Sequence, residues 1–303
     1  MWKVKVVAMM KNKKNKFKQS PTFSMIAWKV TKTIFYTFMI FFAITFLGSF
    51  LWTLLNSFKS ATDYMVDSFG IPKVFDWGNY AQVLQNLEFK GHGIFGMLLN
   101  SLILVGWNIF VCISIPHMAA YVLARFDFKG KKLIQGAVYL SMVIPVIGAA
   151  SSMMWFLNAT GLYDNFLGIF ILQSGGLGFG QIMLTSFYKG INRAYAEAAY
   201  MDGASEWKVF TKIFYPQTKG ITMILVIQTF ITVWNDFMTG YLYLPSHPTL
   251  ALGLQQMQAQ FVDYGNDYPV MFAGIILAMI PVLILYLCFS DNIMTGAAIG
   301  SLK

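Results

Sequence analysis

The dominant pattern along the chain is a series of long apolar runs separated by shorter polar segments. The first run carries no charged residue between Lys32 and Lys59. Each of the others reaches the ~20 residues that a helix needs to cross a bilayer. The pattern predicts an all-α integral membrane protein with six transmembrane helices, near residues 33–57, 96–123, 133–157, 166–187, 220–243 and 270–289.

These runs divide the chain into four parts. A basic segment at 1–32 precedes the first helix at 33–57, an outer loop at 58–94 follows, and a core domain occupies 95–303. The first run is too long for the apolar region of a cleaved signal peptide, which has ~7–15 residues. The fourth run is rich in glycine between Gly175 and Gly180, so we expect its helix to be kinked or locally unwound.

Composition and charge agree with a membrane protein. Hydrophobic residues make up 57% of the chain and charged residues only 12%, about half the usual share in soluble proteins. Nineteen of the 22 lysines and arginines fall on the side of the membrane where six spans place both termini. This asymmetry predicts cytoplasmic termini. The basic residues border apolar runs and form no patch with interleaved aromatics, so the net charge of +9 does not indicate nucleic acid binding.

Two other classes of membrane protein fit the residues less well. A secondary transporter would be expected to carry several intramembrane charges, and Asp236 is the one carboxylate inside a predicted span. A membrane-embedded enzyme would need a nucleophile or metal constellation, which three scattered histidines do not supply. The two cysteines, Cys112 and Cys288, lie in apolar runs and are interpreted as packing residues.

The polar segment at 191–216 has the pattern of a helix–turn–helix. Its first part is rich in alanine and favours helix, and Gly203 can adopt the left-handed conformation that ends a helix. Ser205 is a good N-cap for a second helix, which we expect to run to Pro216. Ala196, Ala199 and Gly203 would form a small face that fits a groove. The residues alone also allow a helix lying on the bilayer surface.

Several motifs resemble a known family. Glu197-Ala198-Ala199 with Asp202-Gly203-Ala204 and Pro216 resembles the EAA loop of permease subunits of binding-protein-dependent ABC importers. Residues 119–132 and 234–237, with Asn100-Ser101 and the closing 296–303, are similar to the carbohydrate branch, specifically its maltose-type second permease. Asn192, Tyr215 and Gly220 depart from the family pattern at the ends of the loop.

The resemblance implies the type I ABC importer permease fold, with 191–216 as a coupling loop in the bacterial inner membrane. The residues that it assigns to contact with the ATPase are Ala196, Glu197, Ala198, Ala199, Asp202, Gly203 and Ala204. The chain has no Gly-x-x-x-x-Gly-Lys-Ser/Thr loop, so ATP and Mg²⁺ are expected on a separate ATPase. The expected partners are a second permease subunit, two copies of that ATPase, an external binding protein and membrane lipid. The expected solute is a sugar or oligosaccharide, with an amino-acid or phosphate permease as the nearest rival.

Other polar residues are candidates for contact with the solute or the binding protein. Asn100, Asn235 and Asp236 are candidate pathway residues, although for Asp236 a role in fixing helix packing is favoured over the pathway role. The run Gln255, Gln256, Gln258 and Gln260 in the last outer loop is expected to reach the binding protein. The remaining polar residues of the spans are more typical of bonds between helices, namely Asn108, Gln173, Gln181 and Gln228, and His117 is interpreted as a packed histidine.

Overall fold

The computed structural model describes residues 21–144, 148–175, 177–264 and 267–301, with the backbone alone at 21–24, 260–264 and 290–301. In these ranges the chain is mostly helical, with one two-stranded antiparallel hairpin. The helices are α1 (Pro21–Asn56), α2 (Ala61–Val66), α3 (Gly78–Asn86), α4 (Ile94–Arg125), α5 (Lys131–Val143), α6 (Ala149–Ala159), α7 (Phe166–Gln173), α8 (Phe179–Gly190), α9 (Ala194–Met201), α10 (Glu206–Val209), a π-helix (Phe210–Phe214), α11 (Tyr215–Gln217), α12 (Lys219–Trp234), α13 (Met238–Tyr243), α14 (Leu250–Tyr264) and α15 (Tyr268–Ser301). The hairpin strands are β1 (Glu88–Phe89) and β2 (His92–Gly93).

Among the described residues, three helices are long and apolar enough to cross a membrane. They cover Met25–Asn56, Ile94–Arg125 and Tyr268–Phe289, which are the first, second and sixth predicted runs. The third, fourth and fifth runs each form two shorter helices. In the part of the chain that the structure describes, three continuous helices of spanning length are thus combined with three interrupted apolar segments, and the total of six crossings stays a prediction.

The third run is interrupted, so the prediction of one segment over 133–157 is wrong in its continuity. α5 ends at Val143, Ile144 is extended, and α6 begins after Gly148, whose φ is +77°. The sequence places Pro145 directly after Ile144, and a following proline disfavours helical backbone at the residue before it. A glycine with positive φ then starts the next helix in a new direction.

The fourth run is interrupted where the glycines predicted it. α7 ends at Gln173 and α8 begins at Phe179. Gly180 also permits a close approach between helices, because a Cβ at this position would lie 3.2 Å from the side chain of Leu225 on α12. The expectation of an unwound segment is confirmed.

The fifth run breaks at residues 235–237, which corrects the prediction of one segment over 220–243. α12 ends at Trp234 and α13 begins at Met238. Asp236 lies in this break, where its carboxylate accepts bonds from the backbone N–H and the hydroxyl of Thr239. Asn and Asp side chains compete in this way with the helical backbone, which explains the interruption.

α4 is the central helix of the bundle and packs against α7, α8, α12 and α14. One buried cluster joins α4, α12, α14 and α15 around Met97 and Trp234. The Trp234 indole N–H also donates to the carbonyl of Ala278 at 3.1 Å. A second cluster lies near residues 191–216 and includes Tyr121, Tyr188 and Phe214. The two clusters hold α12 along most of its length.

The two predicted outer loops are folded rather than irregular. The first carries α2, α3 and the hairpin, and Asn79 ties it together by donating to the carbonyls of Ser57 and Lys59. The second, over 244–269, carries α14, and its glutamine run lies on that helix. Three apolar residues at helical spacing, Leu250, Leu254 and Met257, anchor that helix on the core.

Candidate functional site

The segment at 191–216 forms the helix–turn–helix that the sequence predicted. The Asn192 side chain accepts a bond from the N–H of Ala194 at 3.0 Å and so begins α9. α9 ends at Met201, and Gly203 has a φ of +75°. The N–H of Ala204 closes the turn on the carbonyl of Ala199 at 2.9 Å. The left-handed glycine therefore reverses the chain after one short helix.

The second half of this segment differs from the prediction in two ways. Ser205 occupies the N-cap position of α10, but its side chain makes no capping bond. The helix also does not end at Pro216, because a π-helical turn carries it through α11 to a turn at Thr218, directly before α12. Proline lacks an N–H and crowds the preceding turn, and a widened π-turn removes that conflict. The segment at 191–216 is thus almost continuous with α12.

Two of the three residues of the predicted small face, Ala196 and Ala199, lie on the inner side of α9, and the fit of this face to a partner's groove stays a prediction. Ala196, Ala199 and Ala204 pack against the buried cluster around Phe214. Gly203 lies at the exposed turn, where a Cβ would meet nothing within 4 Å.

The outward face of this segment combines apolar and acidic groups. The exposed residues are Tyr195, Glu197, Ala198, Met201 and Asp202, with Met201 88% exposed. Of the seven residues assigned to contact with an ATPase, this leaves Glu197, Ala198, Asp202 and Gly203 available to a partner, and the three inward alanines as their support.

A polar link that the sequence did not reveal ties α9 and α10 to α4. The hydroxyls of Tyr121 and Tyr200 donate to different oxygens of the Glu206 carboxylate. Partial burial, followed by the bond to Glu206, raises the pKa of Tyr200 above its ordinary value. Arg125 lies beside this link, with its guanidinium 4.0 Å from the centre of the Phe214 ring. Glu206 therefore joins the turn, the short helix and a spanning helix.

His117 is a packed residue, in line with its interpretation from the sequence. Its Nδ1 lies 2.9 Å from the Tyr188 hydroxyl and its Nε2 lies 3.1 Å from the Thr222 hydroxyl. The histidine thus connects α4, α8 and α12 just above the helix–turn–helix.

The three candidate pathway residues do not share one site. Asn100 is buried, and its amide donates to the carbonyl of Pro248 at 3.0 Å while neighbouring Ser101 accepts from the N–H of Leu250. These bonds fix the start of α14. Asp236 is held by Thr239, and Asn235 is exposed with its amide on the carbonyl of Ile231. The pathway role of each stays a prediction.

Asn235 meets two of the predicted binding-protein residues in a cavity. A space of about 560 Å³ lies between α12, α14 and α15, and its wall includes Asn235, Gln255 and Gln258. Gln256 points instead toward a separate cavity of about 240 Å³ beside α3 and the hairpin. Gln260 lies on α14, but its side chain is outside the described residues. Gln255 and Gln258 therefore line one space and Gln256 another, and contact of this run with a binding protein stays a prediction.

A third cavity lies at the break of the fourth run. It has a volume of about 340 Å³ and lies between α4, the α7–α8 break and α12. Its polar wall residues are Asn108, Gln173, Gln228, Thr229 and Thr232. Sequence reasoning assigned Asn108, Gln173 and Gln228 to bonds between helices. The bond from the Asn108 amide to the Gln173 side-chain oxygen at 2.7 Å confirms such a contact between α4 and α7.

Long apolar helices around polar cavities, with an exposed helix–turn–helix at one end, define a helical membrane permease. Residues 113–294, more than half of the chain, match the model of the binding-protein-dependent transport system inner membrane component. The chain belongs to this family of inner membrane transport components.

Relatives and a solved structure agree with that membership. The chain is 27% identical over 273 residues to the diacetylchitobiose uptake system permease protein NgcG of Streptomyces coelicolor, covering 89% of this chain and 88% of that protein. It is 26% identical over 295 residues to the arabinooligosaccharides transport system permease protein AraQ of Bacillus subtilis, covering 94% and 99%. The fold is similar to a chain of a bacterial ABC transporter involved in the import of the acidic polysaccharide alginate, with a TM-score of 0.72, 19% identity, and coverage of 87% and 96%. The fold is that of the type I ABC importer permeases.

Proposed function

We propose that this chain is one membrane-spanning half of an ATP-driven importer that takes up a sugar or oligosaccharide delivered by an external binding protein. The second half is a different permease subunit. Two copies of a cytoplasmic ATPase bind ATP and Mg²⁺, and this chain itself performs no hydrolysis. Both of its termini face the cytoplasm.

The observation that carries the proposal is the exposed face of α9 and its turn. Met201 is 88% exposed and Tyr195 is 59% exposed, next to Glu197 and Asp202. An apolar residue with acidic neighbours on a short, buttressed helix suits a groove on a soluble protein. The neighbouring link through Glu206 would pass a displacement of this helix to α4.

The solute class is supported by the relatives. The permeases named above serve uptake of diacetylchitobiose and of arabinooligosaccharides, and each match covers nearly the full length of both chains. Both solutes are neutral oligosaccharides, which favours a sugar over an amino acid or phosphate.

The proposal is tested by a pair of matched methionine variants. Met201→Arg places a charge on the α9 face, and Met65→Arg places the same charge on α2, where Met65 is 72% exposed at the opposite end of the bundle. Burying an unpaired charge in an interface costs several kcal/mol, so Met201→Arg should lower co-purification of the ATPase at least about tenfold. Met65→Arg should retain the ATPase at the wild-type level.

Reconstituted vesicles supply the second readout. With the binding protein outside and ATP inside, the complex should accumulate neutral oligosaccharide, and Met201→Arg should abolish this uptake. If both arginine variants retain the ATPase equally, or the wild-type chain never associates with one, the proposed function is wrong.

A further inference from the structure

The exposed face of α12 carries a polar stripe. Gln228, Thr232 and Asn235 follow one another at spacings of four and three residues, which places them on one side of a helix. All three are exposed in the chain. Neither Gln228 nor Thr232 forms a side-chain hydrogen bond with another described residue. Polar groups are thus presented along the outer half of an otherwise apolar helix.

The depth of this stripe in the membrane indicates whether it faces lipid, water or protein. Gln228 is the tenth residue of α12, about 14 Å along the helix from Lys219, and the hydrocarbon core of a bilayer is about 30 Å thick. An amide at that depth without a hydrogen-bond partner is strongly disfavoured in lipid. The face must therefore meet a water-filled space or another protein.

The cavity at the α7–α8 break supplies that space. The Asn108 amide donates to the carbonyl of Leu104 at 2.9 Å and to the Gln173 side-chain oxygen at 2.7 Å. This arrangement leaves the Asn108 oxygen as an acceptor and the Gln173 nitrogen as a donor without described partners. Gln228, Thr229 and Thr232 complete the polar wall. Its volume of about 340 Å³ is within the range of small-molecule sites.

The wall also indicates the charge of the solute. Among the described residues that line this cavity there is no Asp, Glu, Lys, Arg or His. An ionised solute would lose its hydration here without gaining a counter-charge. Amides and hydroxyls both donate and accept hydrogen bonds, as sugar hydroxyls do. A neutral polyhydroxylated molecule can therefore form hydrogen bonds with these wall residues in both directions.

We propose that Asn108, Gln173, Gln228, Thr229 and Thr232 form a subsite for a neutral, polyhydroxylated solute on the translocation path, with the α12 stripe leading from it toward Asn235. This inference rests on the proposed function. It gives these five residues a role in the translocation path, whereas otherwise they would only join helices. It also names a neutral rather than an acidic sugar as the solute.

The first experiment removes the polar groups and keeps their size. Gln228→Leu/Thr232→Val is compared with Thr45→Val, which alters an exposed threonine on α1, away from the cavity. The reconstituted complex is given N,N′-diacetylchitobiose or arabinotriose as neutral probes. The double variant should lower uptake about tenfold, equivalent to the loss of about 1.4 kcal/mol of binding to the solute. ATPase stimulation by the loaded binding protein should stay within twofold of wild type, as should both readouts for Thr45→Val.

The second experiment uses a native reporter, because Cys112 lines the cavity and the other cysteine, Cys288, is exposed on α15. Cys288→Ser leaves Cys112 as the single thiol, and Cys112→Ser leaves Cys288. A small water-soluble methanethiosulfonate should modify Cys112, and the neutral probe should slow that modification about threefold or more. An alginate trisaccharide should not slow it, and neither sugar should affect Cys288.

The outcomes separate this inference from the proposed function. Wild-type uptake that requires ATP, with full uptake by the double variant, would overturn the subsite and leave the proposed function standing. Protection of Cys112 by the acidic sugar alone would overturn its assignment to neutral solutes. A wild-type complex that hydrolyses ATP without uptake of any probe, and shows no protection, would contradict both.

Discussion

Glu206 shows most clearly, at the scale of single residues, what the sequence could not reveal. Its partner Tyr121 is 85 positions away, and nothing in the local pattern of 191–216 marks the contact. The EAA residues, by contrast, lie close together in the sequence and could be assigned from their resemblance to a family motif. A side chain that joins distant elements becomes visible only when the fold brings them together.

Replacing Glu206 tests whether this link holds the coupling segment. Glu206→Leu leaves two hydroxyls without their acceptor, and bonds to a charged group contribute about 1.5–3 kcal/mol each. The variant should unfold at a lower temperature and transport less solute per ATP hydrolysed. Glu206→Gln should recover part of both, since its oxygen still accepts one bond. Lys208→Leu, on the same short helix, should match wild type; equal coupling ratios in all four proteins would show that the link is dispensable.

Asp236 illustrates how a known hydrogen-bond partner supports one of two predicted roles, here helix packing rather than the pathway. Both carboxylate oxygens are used by Thr239. Asp236→Asn keeps an acceptor for the Thr239 N–H, so membrane abundance and uptake should remain near wild type. Asp236→Ala removes the cap and should cost about 1 kcal/mol of stability. Abundance by immunoblot and uptake are measured together; normal abundance with lost uptake in Asp236→Asn would instead support a pathway role.

At the scale of elements, the sequence predicted the position of every apolar segment and missed two of the three interruptions. The glycines near Gly178 identified the break in the fourth run, because glycine is a strong local signal. The break after Val143 arises from a proline that acts on the residue before it. The break after Trp234 arises at Asp236, whose carboxylate accepts bonds from Thr239 in the first turn of the next helix. In the sequence, a single proline or aspartate is a weak signal of a break when the residues around it form a long apolar run.

Substitutions at the turn between α9 and α10 should be limited by the backbone conformation of Gly203 rather than by the space around it. Gly203 has a φ of +75° and open space around a Cβ, so the cost of a side chain is the left-handed conformation, about 1–2 kcal/mol. Gly203→Asn should be tolerated best, Gly203→Ala less well, and Gly203→Val least. Solute transported per ATP should decline in that order. A valine variant that couples normally would show that the conformation of the turn does not matter.

At the contact between α14 and α4, substitutions should instead be limited by the space available for a side chain. A Cβ on Gly253 would overlap the sulfur of Met97, which is fully buried. Gly253→Leu should therefore displace α14 and destabilise the fold by about 1–3 kcal/mol. Gly136→Leu, where a Cβ meets nothing within 4 Å, is the matched control. Detergent-solubilised thermal stability measures both; equal losses would argue against close packing at Gly253.

For the whole molecule, charge asymmetry predicts the orientation in the membrane. Lys73 lies in the first outer loop, with its side chain 75% exposed, and Lys132 is exposed near the start of α5. In a chain without its native cysteines, Lys73→Cys should react with an impermeant maleimide on intact cells. Lys132→Cys should react only after permeabilisation. The reverse pattern would invert the topology.

The near-continuous helical path from the EAA turn into α12 has a rotational consequence. Each residue added to a helix turns everything beyond it by about 100° and advances it by about 1.5 Å. One alanine inserted after Lys219 would therefore keep the surface proposed to contact the ATPase unchanged, while it would turn Gln228 and Thr232 away from their cavity. The number of residues in this stretch thus fixes the angle between the proposed ATPase contact and the proposed solute contacts, and an insertion or deletion here would change that angle.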